Sequence, residues 1–141
     1  MTEKTQVVPQ QLYAVTFAAT DIGRLRSFYE GWGWEALPYS NDEYVAFKCG
    51  ESVVGFFRKD LLAAEAAPGN SAPSGWRGVT LAVGVPTREE VDAHWQAAVS
   101  AGATAVAEPA DRAWGGRSGY VADPEGNPWE IAWVPETAGQ A

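Results

Sequence analysis

The sequence predicts an α+β fold, in which two βαβββ repeats pack together around a barrel-like cavity. Three observations carry that reading. A hairpin-like stretch is written twice, as YVAFKCGESVVGFF from Tyr44 and as YVADPEGNPWEIAW from Tyr120. Each copy lies downstream of a β-rich run followed by a capped helical pattern. The first strand of each half alternates large apolar with small residues, so one face is bulky and the other nearly bare.

The elements follow in order. LYAVTFAAT (12–20) is a strand, with Tyr13, Val15 and Phe17 on the bulky face and Ala14, Thr16 and Ala18 on the small one. Asp21 caps a helix whose apolar residues Ile22, Leu25, Phe28 and Tyr29 keep helical spacing, and Gly31 and Gly33 stop it. Short strands are expected at 34–39, 43–48 and 52–57. The Ala-, Pro-, Gly- and Ser-rich stretch 59–77 reads as a linker with one helical turn near Leu61. In the second half, 78–85 is a strand with Val79, Leu81 and Val83 opposite Gly78, Thr80 and Ala82. A helix follows, with Thr87 as cap, Glu90 completing a capping box, and Gly102 as stop. Strands near 104–108, 117–122 and 129–134 complete the repeat. In DPEGN (123–127), Pro124 presets φ and Gly126 supplies a positive φ, a structural turn. The expected organisation is one domain over 1–141, with repeats at 12–58 and 78–135 joined by the 59–77 linker. A repeat this short cannot bury its sheet alone. First strands correspond at an offset of 64 and the hairpins at 76.

Composition narrows the function. Apolar residues make up 46% and aromatics 12%, enough for a globular interior. Eighteen acids against ten bases give −8, which argues against nucleic-acid and anionic-membrane partners. No apolar run approaches the roughly 20 residues that span a bilayer, and MTEKTQVVPQQ lacks the apolar core of a leader. A single cysteine, Cys49, makes no intrachain disulfide, so a cytoplasmic location is expected.

The small-residue faces read as cavity lining, with Ala14, Thr16 and Thr80 among it. Glu130 falls on the same side, because Trp129, Ile131 and Trp133 form the apolar face of the last strand. In the first copy Val54 stands in its place, followed by Phe56. The fold therefore does not demand an acid there, and a ligand-facing role follows. RAWGGRSGY (112–120) is a glycine-rich loop opening onto a strand; it offers Trp114 over the mouth and Arg117 as a fixed cation. Trp76, ending the linker, is a rim candidate. His94, the sole histidine, lies on the second helix, outside the cavity.

The paired repeats, DIGRLRSFYEGWGWE, and WGGRSGYVADPEGNPWEIA together resemble the vicinal oxygen chelate superfamily, the glyoxalase I, bleomycin-resistance and extradiol-dioxygenase group, over about residues 12–134. The resemblance implies two U-shaped sheets enclosing the site, and a homodimer. In metal-dependent members a His on the first strand and a Glu on the last strand of each repeat supply ligands. Glu130 matches, but Ala14, Gly78 or Val79, and Val54 fill the other places. One carboxylate does not hold a catalytic metal, which takes about three protein ligands. The expectation is therefore a metal-independent, cofactor-free binder of a flat or aromatic small molecule, sequestering an antibiotic or metabolite as bleomycin-resistance proteins do. Its ligand set is Glu130, Trp114, Arg117, Trp76, Phe56, Ala14, Thr16 and Thr80. Two alternatives stay open. One is a glyoxalase-like lyase, isomerase or cyclase with Glu130 as catalytic acid or base; the other is a metal-dependent lyase or dioxygenase with unrecognised ligands.

Overall fold

The structure, a computed structural model, describes residues 8–135. Residues 1–7, which carry most of the stretch read for a leader, and 136–141 lie outside the described residues. The chain runs β1 (Ala14–Ala19), α1 (Ile22–Gly31), β2 (Tyr44–Cys49), β3 (Ser52–Arg58), α2 (Lys59–Ala66), β4 (Leu81–Gly84), α3 (Arg88–Ser100), β5 (Thr104–Asp111), β6 (Arg117–Ala122) and β7 (Pro128–Trp133). These form two sheets, ordered β1-β3-β2 and β4-β7-β6-β5. In each, the first strand runs parallel to the last, and the last pairs antiparallel with the strand before it.

Both main helices begin where their caps predict. The Asp21 carboxylate accepts the Arg24 N–H at 3.0 Å. Thr87 Oγ1 accepts the Glu90 N–H at 3.2 Å and donates to the Glu90 carboxylate at 3.0 Å. Three expectations change. The strand read over 78–85 keeps only Leu81–Gly84, so Gly78, Val79 and Thr80 precede it. The 34–39 strand shrinks to one bridge between Ala36 and Phe47. Pro38 has no N–H to offer a ladder, and Ser40 turns back to bond Leu37. The 59–77 stretch opens with an eight-residue helix, α2, rather than one turn; Leu and Ala favour it until Pro68.

The core lies on one face of each sheet, beneath α1 and α3. Tyr29 is its centre. Its ring stacks on Phe56 of β3 at 5.1 Å and meets Trp129 of β7 edge-on at 6.1 Å. On β6, Gly119 leaves room for α3, since a Cβ there would stand 2.8 Å from the Trp95 ring and 3.0 Å from the Pro109 nitrogen.

The ladders fix how the repeats correspond. In one sheet Ala18, Phe57 and Tyr44 lie side by side; in the other Ala82, Glu130 and Tyr120 do. The 64-residue offset of the first strands holds, and so does the 76-residue offset of Tyr44 and Tyr120. The last strands do not obey it. The first hairpin runs farther out, turning through two residues between paired Cys49 and Ser52, whereas five separate Ala122 from Pro128. The counterpart of Glu130 is therefore Phe57. Val54 instead faces α1, within the core.

Candidate functional site

Trp129 and Ile131 belong to the core, so alternation turns Glu130 and Ala132 to the sheet face away from α1 and α3. Glu130 pairs with Ala82 on β4 and Tyr120 on β6. Ala82, Gly84, Ala122 and Ala132 leave this face low. Beside them stand three polar side chains in a row. The Arg112 guanidinium lies 5.8 Å from the centre of the Tyr120 ring. It is held by Nε donating to Ser118 Oγ at 2.9 Å and Nη2 to Ser118 O at 2.8 Å. The Tyr120 phenol is pushed above its ordinary pKa, first by burial and then by the charge of Glu130; Arg112 opposes the shift. Tyr120 thus has a cation against its ring and a carboxylate at the paired position of the neighbouring strand.

The stretch RAWGGR offers two arginines, and local sequence favours Arg117, which lies inside the strand, over Arg112. The structure sends Arg117 to the other face. There it grips Asp92 of α3 with Nε and Nη2, both at 2.9 Å, and Asp111 with Nη1 at 3.2 Å. Arg117 ties α3 to β6 and does not reach the Glu130 face. Register shifts along β5, together with the turn in which the Arg112 N–H bonds Gly116 O, bring Arg112 over β6. No period-2 count foresees them.

The other expected ligand residues scatter. Phe56 is fully buried, stacked on Tyr29 and Phe17, and so belongs to the core rather than the cavity. Trp114 folds back over Gly116, where any Cβ would collide with its ring, and covers the β5–β6 loop. Ala14 pairs with Val53 at the start of β1. Along that face, a Cβ on Gly55 would meet the Tyr44 hydroxyl at 2.6 Å, so tyrosine occupies the first repeat's counterpart of the open floor. Thr80 Oγ1 donates to Pro128 O at 3.2 Å, bracing the start of β7. Thr16 and Trp76 do meet, but elsewhere: both line an apolar pocket of about 350 Å³ between β1, α2 and the linker.

Among the described residues the Glu130 face offers a single carboxylate, where a catalytic metal takes about three protein ligands. The positions of β1, β3, β4 and β7 that face away from α1 and α3 are Ala14, Thr16, Ala18, Val53, Gly55, Phe57, Ala82, Gly84, Glu130 and Ala132. However the repeats are superposed, only Glu130 among them carries a carboxylate, imidazole or thiol. His94 sits on α3 with Nδ1 2.8 Å from Glu90 O. Among the described residues no three His, Cys, Asp or Glu side chains gather to hold a cation.

The family model for the Glyoxalase/Bleomycin resistance protein/Dioxygenase superfamily matches residues 11–131. The chain belongs to this superfamily. Among solved structures, a glyoxalase-related enzyme from Fulvimarina pelagi is 30% identical, with a TM-score of 0.81 over 90% of both chains. Two others share the superfamily fold at lower identity. A hypothetical protein from S. aureus is 21% identical, with TM-score 0.76 over 92% of this chain and 97% of that one. Lactoylglutathione lyase from Agrobacterium tumefaciens is 22% identical, with TM-score 0.70 over 89% and 95%. Uncharacterized proteins of Mycobacterium bovis and Mycobacterium tuberculosis are 49% identical over 45 residues, 32% of this chain. That match spans only 30% and 26% of their own lengths. Among the described residues no helix is long and apolar enough to cross a membrane.

Proposed function

We propose that this superfamily member binds a flat, partly aromatic small molecule on the Glu130 face without a divalent metal, and holds it rather than transforms it. The observation that carries the reading is the Arg112–Tyr120–Glu130 row beside a floor of Ala82, Gly84 and Ala132. A low floor lets a planar ligand lie close to the sheet, while the row supplies orienting polar groups, the usual composition of a ligand site. Glu130 then anchors a donor or cation of the ligand. Sequestration of an antibiotic or aromatic metabolite is the form of binding this arrangement suits.

A second reading rests on Tyr120. A phenol facing a carboxylate is a proton-handling pair, and Glu130 could serve as general base for isomerase or lyase chemistry. Glu130→Gln separates the two, using planar aromatic amines and phenols followed by calorimetry and product analysis. An anchor predicts binding weakened by about 1.5–3 kcal/mol and no wild-type turnover. A base predicts turnover lowered by roughly 10² with binding nearly intact. Neither binding nor turnover responding would overturn both.

A further inference from the structure

The pocket that receives Thr16 and Trp76 is lined by none of Arg112, Tyr120 and Glu130, and its chemistry is different. We propose that it is a second binding site, taking an apolar, ring-bearing molecule with one carboxylate. The walls are apolar: Val15, Ala18, Leu62, Ala66, Trp76 and Pro128 line it. Its volume of about 350 Å³ lies near the lower end for ligand pockets. At the roughly 30 Å³ a water occupies in the liquid, it holds about a dozen non-hydrogen atoms.

Charge selects the ligand class. The chain carries eighteen acids and ten bases, yet every ionisable side chain lining this pocket is basic, namely Lys59 and Arg77. Among the described residues neither forms an ion pair; Asp60, next to Lys59, is taken by Arg58. Arg77 is half-buried and set in place, its Nη1 donating to Ala18 O at 3.0 Å, the exposed carbonyl side of an edge strand. A planar guanidinium held against apolar walls is suited to a carboxylate. Trp76 adds an aromatic platform. The residue is 70% exposed, although its indole N–H is already satisfied by Val79 O at 3.1 Å. Its orientation is thus fixed while its face is left uncovered, which favours a ring in the ligand.

The test uses 2-naphthoate, 2-naphthamide and 2-naphthylmethylammonium, three probes of one shape and different charge, titrated into the full chain by calorimetry. Naphthoate is expected to bind about tenfold or more tighter than the amide, with the ammonium weakest. Lys59→Gln and Arg77→Gln should each reduce that preference, and together bring naphthoate to the level of the amide. Leu62→Trp, which fills the cavity, should abolish binding of both. Lys59 is exposed at the start of α2, so its variant keeps the test valid if Arg77→Gln disturbs the linker. Equal affinity for the three probes, no binding at millimolar concentration, or binding that survives Leu62→Trp would overturn the proposal. So would naphthoate binding that is lost with Arg112→Gln and kept with Arg77→Gln, which would place it on the Glu130 face.

Discussion

The phenol of Tyr29 donates a 2.6 Å hydrogen bond to the carboxylate of Asp123, joining the first repeat's helix to the second repeat's turn. The same oxygen accepts the Trp129 indole N–H at 2.9 Å. Asp123 is buried and among the described residues forms no ion pair, but its oxygens are met by the Glu125 and Asn127 N–H groups and by Asn127 Nδ2. Glu125 reaches back to the N–H groups of Thr20 and Asp21, at the start of α1. The DPEGN turn is therefore a clasp between repeats, and Gly126 closes it at φ +82°.

Tyr29→Phe should cost about 1–3 kcal/mol in urea unfolding, since it leaves the Trp129 N–H and one Asp123 oxygen short of partners. The effect carries a pH signature. Burial first, then the Asp123 charge, hold the Tyr29 phenol far above its ordinary pKa. Folding is therefore favoured below the unfolded value near 10. That contribution is lost as pH rises beyond it, at up to about 1.4 kcal/mol per pH unit. The stability gap between wild type and Tyr29→Phe should be constant below pH 9 and narrow above pH 10. A gap that widens there would contradict the buried, neutral phenol.

Phe56→Ala should cost about 3–5 kcal/mol as a core truncation. Phe56→Leu, which still folds, should leave the affinity of the folded protein for its ligand unchanged. Loss of affinity in the leucine variant would return Phe56 to the site.

Arg112 and Arg117 should part company. Arg112→Gln removes the cation that holds the Tyr120 phenol down, so that phenol should titrate higher by ultraviolet difference absorbance; Glu130→Gln should move it lower. Ligand affinity should fall in Arg112→Gln and persist in Arg117→Gln. What Arg117→Gln should remove is acid resistance. Arg117 is the main partner holding the Asp92 carboxyl below its usual value, and it assists Arg88 at Asp111. Such carboxylates stabilise the fold above their unfolded pKa and cease to as pH falls through the lowered value. Both are exposed, so salt should screen most of the effect.

Ala82→His places an imidazole beside Glu130 and gives two ligands where about three are needed. Zinc and nickel titrations should find affinity weaker than micromolar in this variant and in the wild type. Elemental analysis of untreated protein should find less than one equivalent of transition metal. A stoichiometric metal lost with Glu130→Gln would show a ligand set beyond the residues named above.

Much of this was legible in local chemistry. Asp21, Thr87 and the glycines mark helix ends because caps act within one turn. The order of elements, the repeat and the turn at DPEGN follow from short-range propensities. Alternation in β1 and β7 correctly separated Val15 and Phe17 from Thr16, and Trp129 from Glu130. But alternation is relative: it says which residues share a face, and a one-residue error exchanges the faces. Matching the hairpins residue for residue through turns of unequal length puts Val54 and Phe56 on the cavity side, although both belong to the core. Only the packing of Tyr29 against Phe56 and Trp129 shows which face is inside in each repeat. Arg112, Thr16 and Trp76 were set by longer-range terms still. A shifted ladder on β5 aims Arg112 across Tyr120, and α2 and the linker fold back beside β1 to bring Trp76 to Thr16. By itself the sequence determined the elements, the duplicated fold and the single carboxylate, since each depends on neighbours a few residues away. The tertiary structure decided which side chains share a site, because that depends on register and packing between segments tens of residues apart.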